Sequence, residues 1–337
     1  MPLKVSDIGE KGLIKRILKK TNKNLINSSF FDNLSFKSLN DDAALINFGD
    51  NYLVATSDML FKSTHFPDEM TPHQIGKKLI TVNVSDLAAM GAKAIGIIVS
   101  IGLPKDMLLD DFDSLMDGIT EGCLNYNMTL IGGDTNESSE LTLCGTCLGI
   151  VNKKDVLMKD GAKPGDVVAI TGPLGLAAAG FQVLFNNLDI DFKVKEKLLK
   201  YALDPEAKSE EGILLAETSA ITSATDITDG LASEIGEIVD ASSYGIGISI
   251  YEEMIPMENE VLEVAQKTGK EPLDFILYYG EDFELLLTIQ KDEFKRINDK
   301  VPIFKIGKVT SSGKIIIVNK DGTQSVLKPQ GYEHLTK

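Results

Sequence analysis

Apolar residues recur along this chain with two different periods, and the switches between them outline the elements. In the segment DMLLDDFDSLMDGITEGCLNYN, residues Phe112, Leu115, Met116, Ile119 and Cys123 fall at i, i+3, i+4, i+7 and i+11, which predicts a helix with one buried face. NYLVATSD, AIGIIVSIGLP, MTLIGGD and LTLCGTCLGIV are short and apolar or alternating, which predicts strands. VNKKDVLMKDGAKPGD then brings polar residues, Gly and Pro, the best candidate for a domain boundary. Beyond it, VVAITG, GIGISI and FELLLTI predict strands, and LGLAAAGFQVLFN and DGLASEIGEIVDAS predict helices. IIIVNKDGTQSVL predicts a hairpin turning at Asp321-Gly322. The expectation is an α+β chain in two parts, residues 1–152 and 153–337.

VNVSDLAAMGA continues a helix that can be run back to Ile75. At 100° per residue, Leu79, Val82 and Asp86 fall within roughly 40° of Ile75, so a carboxylate shares the apolar stripe. An isolated buried carboxylate is costly and calls for hydrogen-bond donors or a cation. For a lone Asp, a bond to its own backbone or to a nearby Lys is the simpler explanation.

The 337 residues, 43% of them apolar, suffice for two cores. With 34 basic and 50 acidic residues the net charge is −16, which argues against a nucleic-acid or anionic-membrane surface. Trp is absent and no apolar run reaches the length of a membrane span. EKGLIKRILKK reads as an ordinary surface helix rather than a targeting segment. Cys123, Cys144 and Cys147 are too few and too unevenly placed for a disulfide framework and suggest reduced thiols in the cytoplasm. CGTC has a C-x-x-C spacing, but on a strand its two thiols point to opposite faces. His65, His73 and His334 are too scattered to suggest a zinc site.

Acids cluster where elements begin or end. Asp41-Asp42 opens DDAALI, Asp58 closes YLVATSD, Asp134 closes TLIGGD, and Asp226 and Asp229 frame DITDG. Each alone could be a turn or cap residue. Converging with Asp86 they would repel, unless divalent cations bound them, and an all-carboxylate set favours Mg²⁺ over Zn²⁺. Gly132-Gly133 lets backbone approach a ligand. TGPLGLAAAG leads from strand to helix, where amides can meet a phosphate, although close helix packing explains it as well.

These motifs, DDAAL, TSDMLFKSTHF, VNVSDLAAMGA, LIGGDT, GAKPGD, DITDGL and GEDFELL, resemble in order those of thiamine-monophosphate kinases. SDLAAMGA and GGD are shared in outline with aminoimidazole-ribonucleotide and selenophosphate synthetases. The resemblance implies a two-domain synthetase-like fold. Its N-terminal mixed sheet would pair with that of a second subunit to form a barrel across a homodimer interface, and its C-terminal α/β domain would be sandwich-like. It implies ATP as co-substrate, Mg²⁺ and transfer to thiamine monophosphate, with no nucleic-acid or membrane partner. By resemblance, Asp42, Thr56, Ser57, Asp58, Asp86, Asp134, Asp226 and Asp229 would hold metal, and Asp42, Asp58, Asp86, Asp134 and Asp229 would be the carboxylates that catalysis depends on. Gly133, Asp134 and Thr228 would touch ATP. Lys159 stands where relatives often carry an ATP-contacting arginine, and lacks its bidentate fork. His65, Glu281 and Tyr332 would meet thiamine monophosphate. Two other readings remain open: a different ATP-dependent synthetase of this superfamily, and a non-catalytic nucleotide-binding subunit.

Overall fold

The computed structural model describes residues 4–25, 34–35, 41–242 and 245–335 and contains two mixed sheets. In chain order the first part runs α1 (Gly9–Leu25), β1 (Leu34–Ser35), β2 (Ala44–Phe48), β3 (Asn51–Phe61), α2 (Lys62–His65), α3 (Pro72–Ala89), β4 (Lys93–Leu103), α4 (Leu109–Asn125), β5 (Thr129–Glu137) and β6 (Thr142–Asn152). Its strands lie in the order β1-β2-β3-β6-β4-β5, antiparallel except for the β4–β5 pair. The second part runs β7 (Val167–Ile170), α5 (Leu176–Asn186), α6 (Phe192–Leu203), α7 (Ser209–Ala216), β8 (Ile221–Ile227), α8 (Leu231–Ala241), β9 (Gly247–Tyr251), α9 (Asn259–Thr268), α10 (Pro272–Leu277), β10 (Glu284–Ile289), α11 (Phe294–Asn298), β11 (Phe304–Thr310), β12 (Ile315–Val318) and β13 (Gln324–Val326). Its order is β13-β12-β9-β11-β7-β10-β8, with β12–β9 the parallel pair.

Residue patterning separates the two sheets. In β6 burial alternates strictly, and α3 and α4 cover one face of the first sheet. The opposite face leaves Ile46, Phe48, Met59 and Ile98 exposed. In β7 and β10 every residue is buried, because the second sheet is covered on both faces. Val168, Ile170 and Leu286 join one core, while Val167, Ala169, Leu285 and Leu287 join another. Continuous apolar runs and strict alternation are the expected signatures of two covered faces and one. Among the described residues, neither sheet closes on itself. The expected hairpin is present, with Gly322 at φ 82° between β12 and β13. Among the described residues, no helix is long and apolar enough to cross a membrane.

Helix α3 positions the rest. Thr71 and Gln74 form a capping box at its start, with Pro72 in the first turn. Gly91, at φ 67°, carries the chain away from its end. On one side α3 packs against β3 and β6, and on the other against α7, β8 and β10 of the second part. It approaches α4 so closely that a Cβ on Gly76 would lie 2.3 Å from the Leu115 carbonyl oxygen, and one on Gly118 2.0 Å from that of His73.

Three expectations need adjustment. The strand carrying Asp58 continues to Phe61, so Asp58 is inside β3, because β6 pairs with it along its whole length. Asp134 likewise lies inside β5, which continues to Glu137 alongside β4. The amino-terminal helix is a surface helix, but its first turn is docked: Lys11 Nζ donates to Ser233 Oγ at 2.9 Å and its amide to Glu333 Oε1 at 3.2 Å.

Because the His73 carbonyl belongs to a helix backbone that cannot yield, Gly118→Ala should destabilise the protein by about 1–3 kcal/mol. Gly132, with nothing within 4 Å of a Cβ, should accept Ala with little change. Paired denaturant titrations of the two variants read the difference.

Candidate active site

The alternation of β3 sends Val54, Thr56, Asp58 and Leu60 to the face under α3, and Ser57 and Met59 to the opposite face. Asp86 projects from α3 onto this covered side and accepts a hydrogen bond from Thr56 Oγ1. Asp226 comes from β8, the edge of the second sheet, and accepts from Ser85 Oγ at 2.5 Å. Asp42 enters just before β2. Oxygens of Asp42, Asp86 and Asp226 all lie within 4.8 Å of one another. Asp58 stands within hydrogen-bonding reach of Asp86. The carboxylate in the apolar stripe is therefore explained by other carboxylates gathered from both sheets.

Lys159 balances part of this charge. Its ammonium lies 2.8 Å from Asp42 Oδ1 and 2.5 Å from Glu237 Oε2, and its amide donates to Asp41 Oδ2 at 3.0 Å. Burial alone would lower its pKa, but the Asp42 and Glu237 carboxylates outweigh that and hold it well above the usual lysine range. Thr225 Oγ1 donates to the same Asp42 oxygen at 3.0 Å. Asp42 Oδ2 and Asp58 Oδ2 are buried with no hydrogen-bond partner among the described residues. Burial pushes Asp58 up to about 6. Burial and the Asp42 charge push Asp226 up to about 8. Burial and Glu237 raise Asp229 to about 7, and Asp41 rises to about 7 through burial and Asp42. Asp42 is raised chiefly by burial, and Asp86 by burial and by Asp58, Asp226 and Asp42. Hard oxygen donors with two unpartnered buried atoms suit a small divalent cation such as Mg²⁺.

A cleft of about 1400 Å³ opens beside this cluster. Asp58 and Asp86 of the cluster line it, together with Thr228, Asp229, His65, Lys78, Glu281, Tyr332 and His334. Lys78 is 1% exposed, yet its ammonium reaches Glu281 Oε2 at 2.5 Å and the His65 carbonyl at 3.0 Å. The His65 Nδ1 accepts from the Phe61 amide at 3.1 Å, and burial lowers its pKa. Its ring meets that of His334 at 5.1 Å, and Tyr332 meets His334 edge-on at 4.9 Å. Tyr332 is anchored by its amide to the Asp229 carbonyl at 3.1 Å.

Other expected residues lie elsewhere. Gly133 and Asp134 are exposed on β5, three strands from β3, which at about 4.8 Å per strand is roughly 14 Å away. Asp134 pairs in register with Ser100, which pairs with Cys144 and so shares the uncovered face. The Ser57 hydroxyl is turned to that face too, bonding to the Gly145 carbonyl at 3.0 Å. The amides at the start of α5, where a phosphate could have bound, are taken by Asp282, whose two oxygens accept from the Gly175 amide at 3.0 and 3.1 Å. Cys147 is buried near Met128 while Cys144 is half-buried on the other face, and all the cysteines are free. Lys78, Ser85, Thr225 and Glu237 were not anticipated. Lys78 had a signal: it precedes Val82 and Asp86 by four and eight residues, on the same helix face.

Residues 40–151 match the family of AIR synthase related protein, N-terminal domain, and residues 163–320 that of the C-terminal domain. The thiamine-monophosphate kinase of Pyrococcus horikoshii is 36% identical over 306 residues, 91% of this chain and 94% of that protein. That of Methanocaldococcus jannaschii is 32% identical over 321 residues, 90% and 93% of the two chains. The solved structure of AaThiL complexed with AMPPCP and TMP superposes with a TM-score of 0.85 at 27% identity, covering 99% of both chains. Acids drawn from both sheets, the cleft beside them and similarity to these proteins along nearly the whole chain lead to one conclusion: the chain belongs to the thiamine-monophosphate kinase family.

Proposed function

We propose that this protein transfers the γ-phosphoryl group of ATP to thiamine monophosphate, giving ADP and thiamine diphosphate by direct in-line displacement. The observation that carries this reading is one cleft lined both by Asp58 and Asp86 of the carboxylate cluster and by His65, Glu281 and Tyr332. Asp42, Asp58, Asp86 and Asp226, with the Thr56 hydroxyl, would hold Mg²⁺, and Asp229 lines the same cleft. When bound, the metal supplies the charge neutralisation that phosphoryl transfer requires. The acceptor phosphate is already nucleophilic, so no strong general base is needed. The Glu281 carboxylate suits the cationic thiazolium, and Tyr332 and the imidazoles offer aromatic surface to the rings of the substrate. Thr228 lines the same cleft, and its hydroxyl suits a nucleotide phosphate. Lys159 is committed to Asp42 and Glu237, which supports a role in setting the charge of the cluster and makes a direct ATP contact depend on its release.

The division of labour we propose gives residues 1–152 metal binding, ATP binding and dimerisation, and residues 153–337 the completion of the nucleotide and substrate site. The uncovered face of the first sheet supports a homodimer: Phe48 is 62% and Met59 54% exposed there. Two such faces closing on each other would form a barrel and bring Gly133 and Asp134 to the interface with ATP.

Incubation with ATP, Mg²⁺ and thiamine monophosphate should yield thiamine diphosphate, with free thiamine a poor acceptor. No product, with turnover of another superfamily substrate, rejects the reading. Asp86→Asn should cut turnover about a hundredfold or more. Without metal it should leave the melting temperature unchanged or raised, since it removes repulsion on the order of 1 kcal/mol. A destabilised but active variant would contradict the metal cage.

Because Asp41, Asp58, Asp226 and Asp229 are raised, the folded protein holds protons more tightly than the unfolded chain. The stability they contribute is complete below the ordinary carboxylate range and is lost as pH rises through about 6 to 8. Melting temperature in a chelator should therefore fall from pH 5 to pH 8, and Mg²⁺ should restore most at the upper end. Equal stabilisation by Mg²⁺ at both ends would refute the cluster as its site.

Light scattering should find a dimer. Met59→Glu or Phe48→Glu should give monomers with little activity, and a fully active monomer rejects the shared interface.

A further inference from the structure

The motif GEDFELL contains a carboxylate that the proposed chemistry does not use. Asp282 lies between Glu281 and Phe283, whose φ values of 68° and 51° put both in the left-handed region. Side chains disfavour that region, so such residues persist only where the surroundings over-determine them. Three sets of contacts do so here. The Glu281 amide donates to the Thr228 carbonyl at 2.8 Å, and the Phe283 amide to that of Ile227 at 3.0 Å. The Phe283 ring is buried. Asp282 itself accepts from the Gly175 amide with both oxygens, and from the Ala177 amide. Gly175 is the residue that opens α5, and having no side chain it cannot cap the helix. The cap instead arrives from a segment more than a hundred residues later.

We propose that Asp282 is a positioning residue that aims Glu281 across the seam at Lys78 and into the cleft. This rests on the kinase reading for its substrate. The segment has no slack: a Cβ on Gly280 would lie 1.6 Å from the Thr228 carbonyl oxygen. With one side held by β8 and the other by the start of α5, the Glu281 carboxylate can reach the Lys78 ammonium, 2.5 Å away on α3. Releasing the Asp282 tether lets Glu281 leave the left-handed region and lose that partner. Thr228 directly follows β8, whose pairing with β10 extends to Ile227, and keeps its position.

Asp282→Ala should raise KM for thiamine monophosphate about tenfold while kcat and KM for ATP change less than about twofold. Asp282→Asn keeps one acceptor and should recover most of the loss. In a Glu281→Gln background, Asp282→Ala should add less than about twofold, because both changes remove the same interaction. If the Ala variant does not fold, the Asn variant carries the same comparison at about threefold. Parallel rises in both KM values, or full multiplicative effects with Glu281→Gln, overturn the proposal. A crystal structure of Asp282→Ala that retains both left-handed residues and the Glu281–Lys78 pair overturns it whatever the activity. Wild-type protein that fails to make thiamine diphosphate defeats the kinase reading, while that structure still decides the tether.

Discussion

Mutual repulsion among buried carboxylates is the constraint around which this protein is arranged. Asp42, Asp86 and Asp226 would not share a few ångströms of space in a free chain. They do so because apolar packing on both sides of α3 holds the two sheets against one helix. The opposing costs are partly met locally, by the Lys159 ammonium and by the hydroxyls of Thr56, Ser85 and Thr225. What is left is two unpartnered buried oxygens and a set of raised pKa values, which is the state that a divalent cation relieves. Rigidity of the scaffold and reactivity of the site are thus the same fact: loosening α3 would let the acids part.

The two sheets divide the remaining tasks. The second is buried on both faces and meets the seam through α7, β8 and β10 and through the loops that follow β8 and lead into β10. These loops, held by Asp282 and by the amides of Glu281 and Phe283, form the wall of the cleft opposite α3. The first sheet is covered on one face and leaves an apolar surface on the other. A face of that kind is a large apolar area in water and favours association. Phosphoryl transfer between two anions needs positioning and charge screening more than it needs acid–base groups. The cleft is lined by carboxylates together with an ammonium, imidazoles and a tyrosine, groups of the kind those tasks need.

The periodic segments were legible from the sequence alone, because burial on one or two faces leaves a period in the residues. Helices α3, α4, α5 and α8, the two strand types and the hairpin after β12 all follow from that signal. So did the oddity of Asp86 and the preference for a hard cation, since both depend on residue type. Motif resemblance added the kinase family. Tertiary structure alone decided which acids meet. Asp42, Asp58, Asp86 and Asp226 converge because α3 is clasped between β3 and β8, a contact between residues far apart in the chain that no local period records. Asp134 looked equivalent in sequence, but two strands of the sheet, β6 and β4, separate it from β3. Ser57 and Asp58 are neighbours whose side chains leave β3 on opposite faces. Lys159 found its partners, and Asp282 its helix, across the fold. Periodicity reports how each residue meets its own layer, and only the packing of layers determines which distant residues share a site.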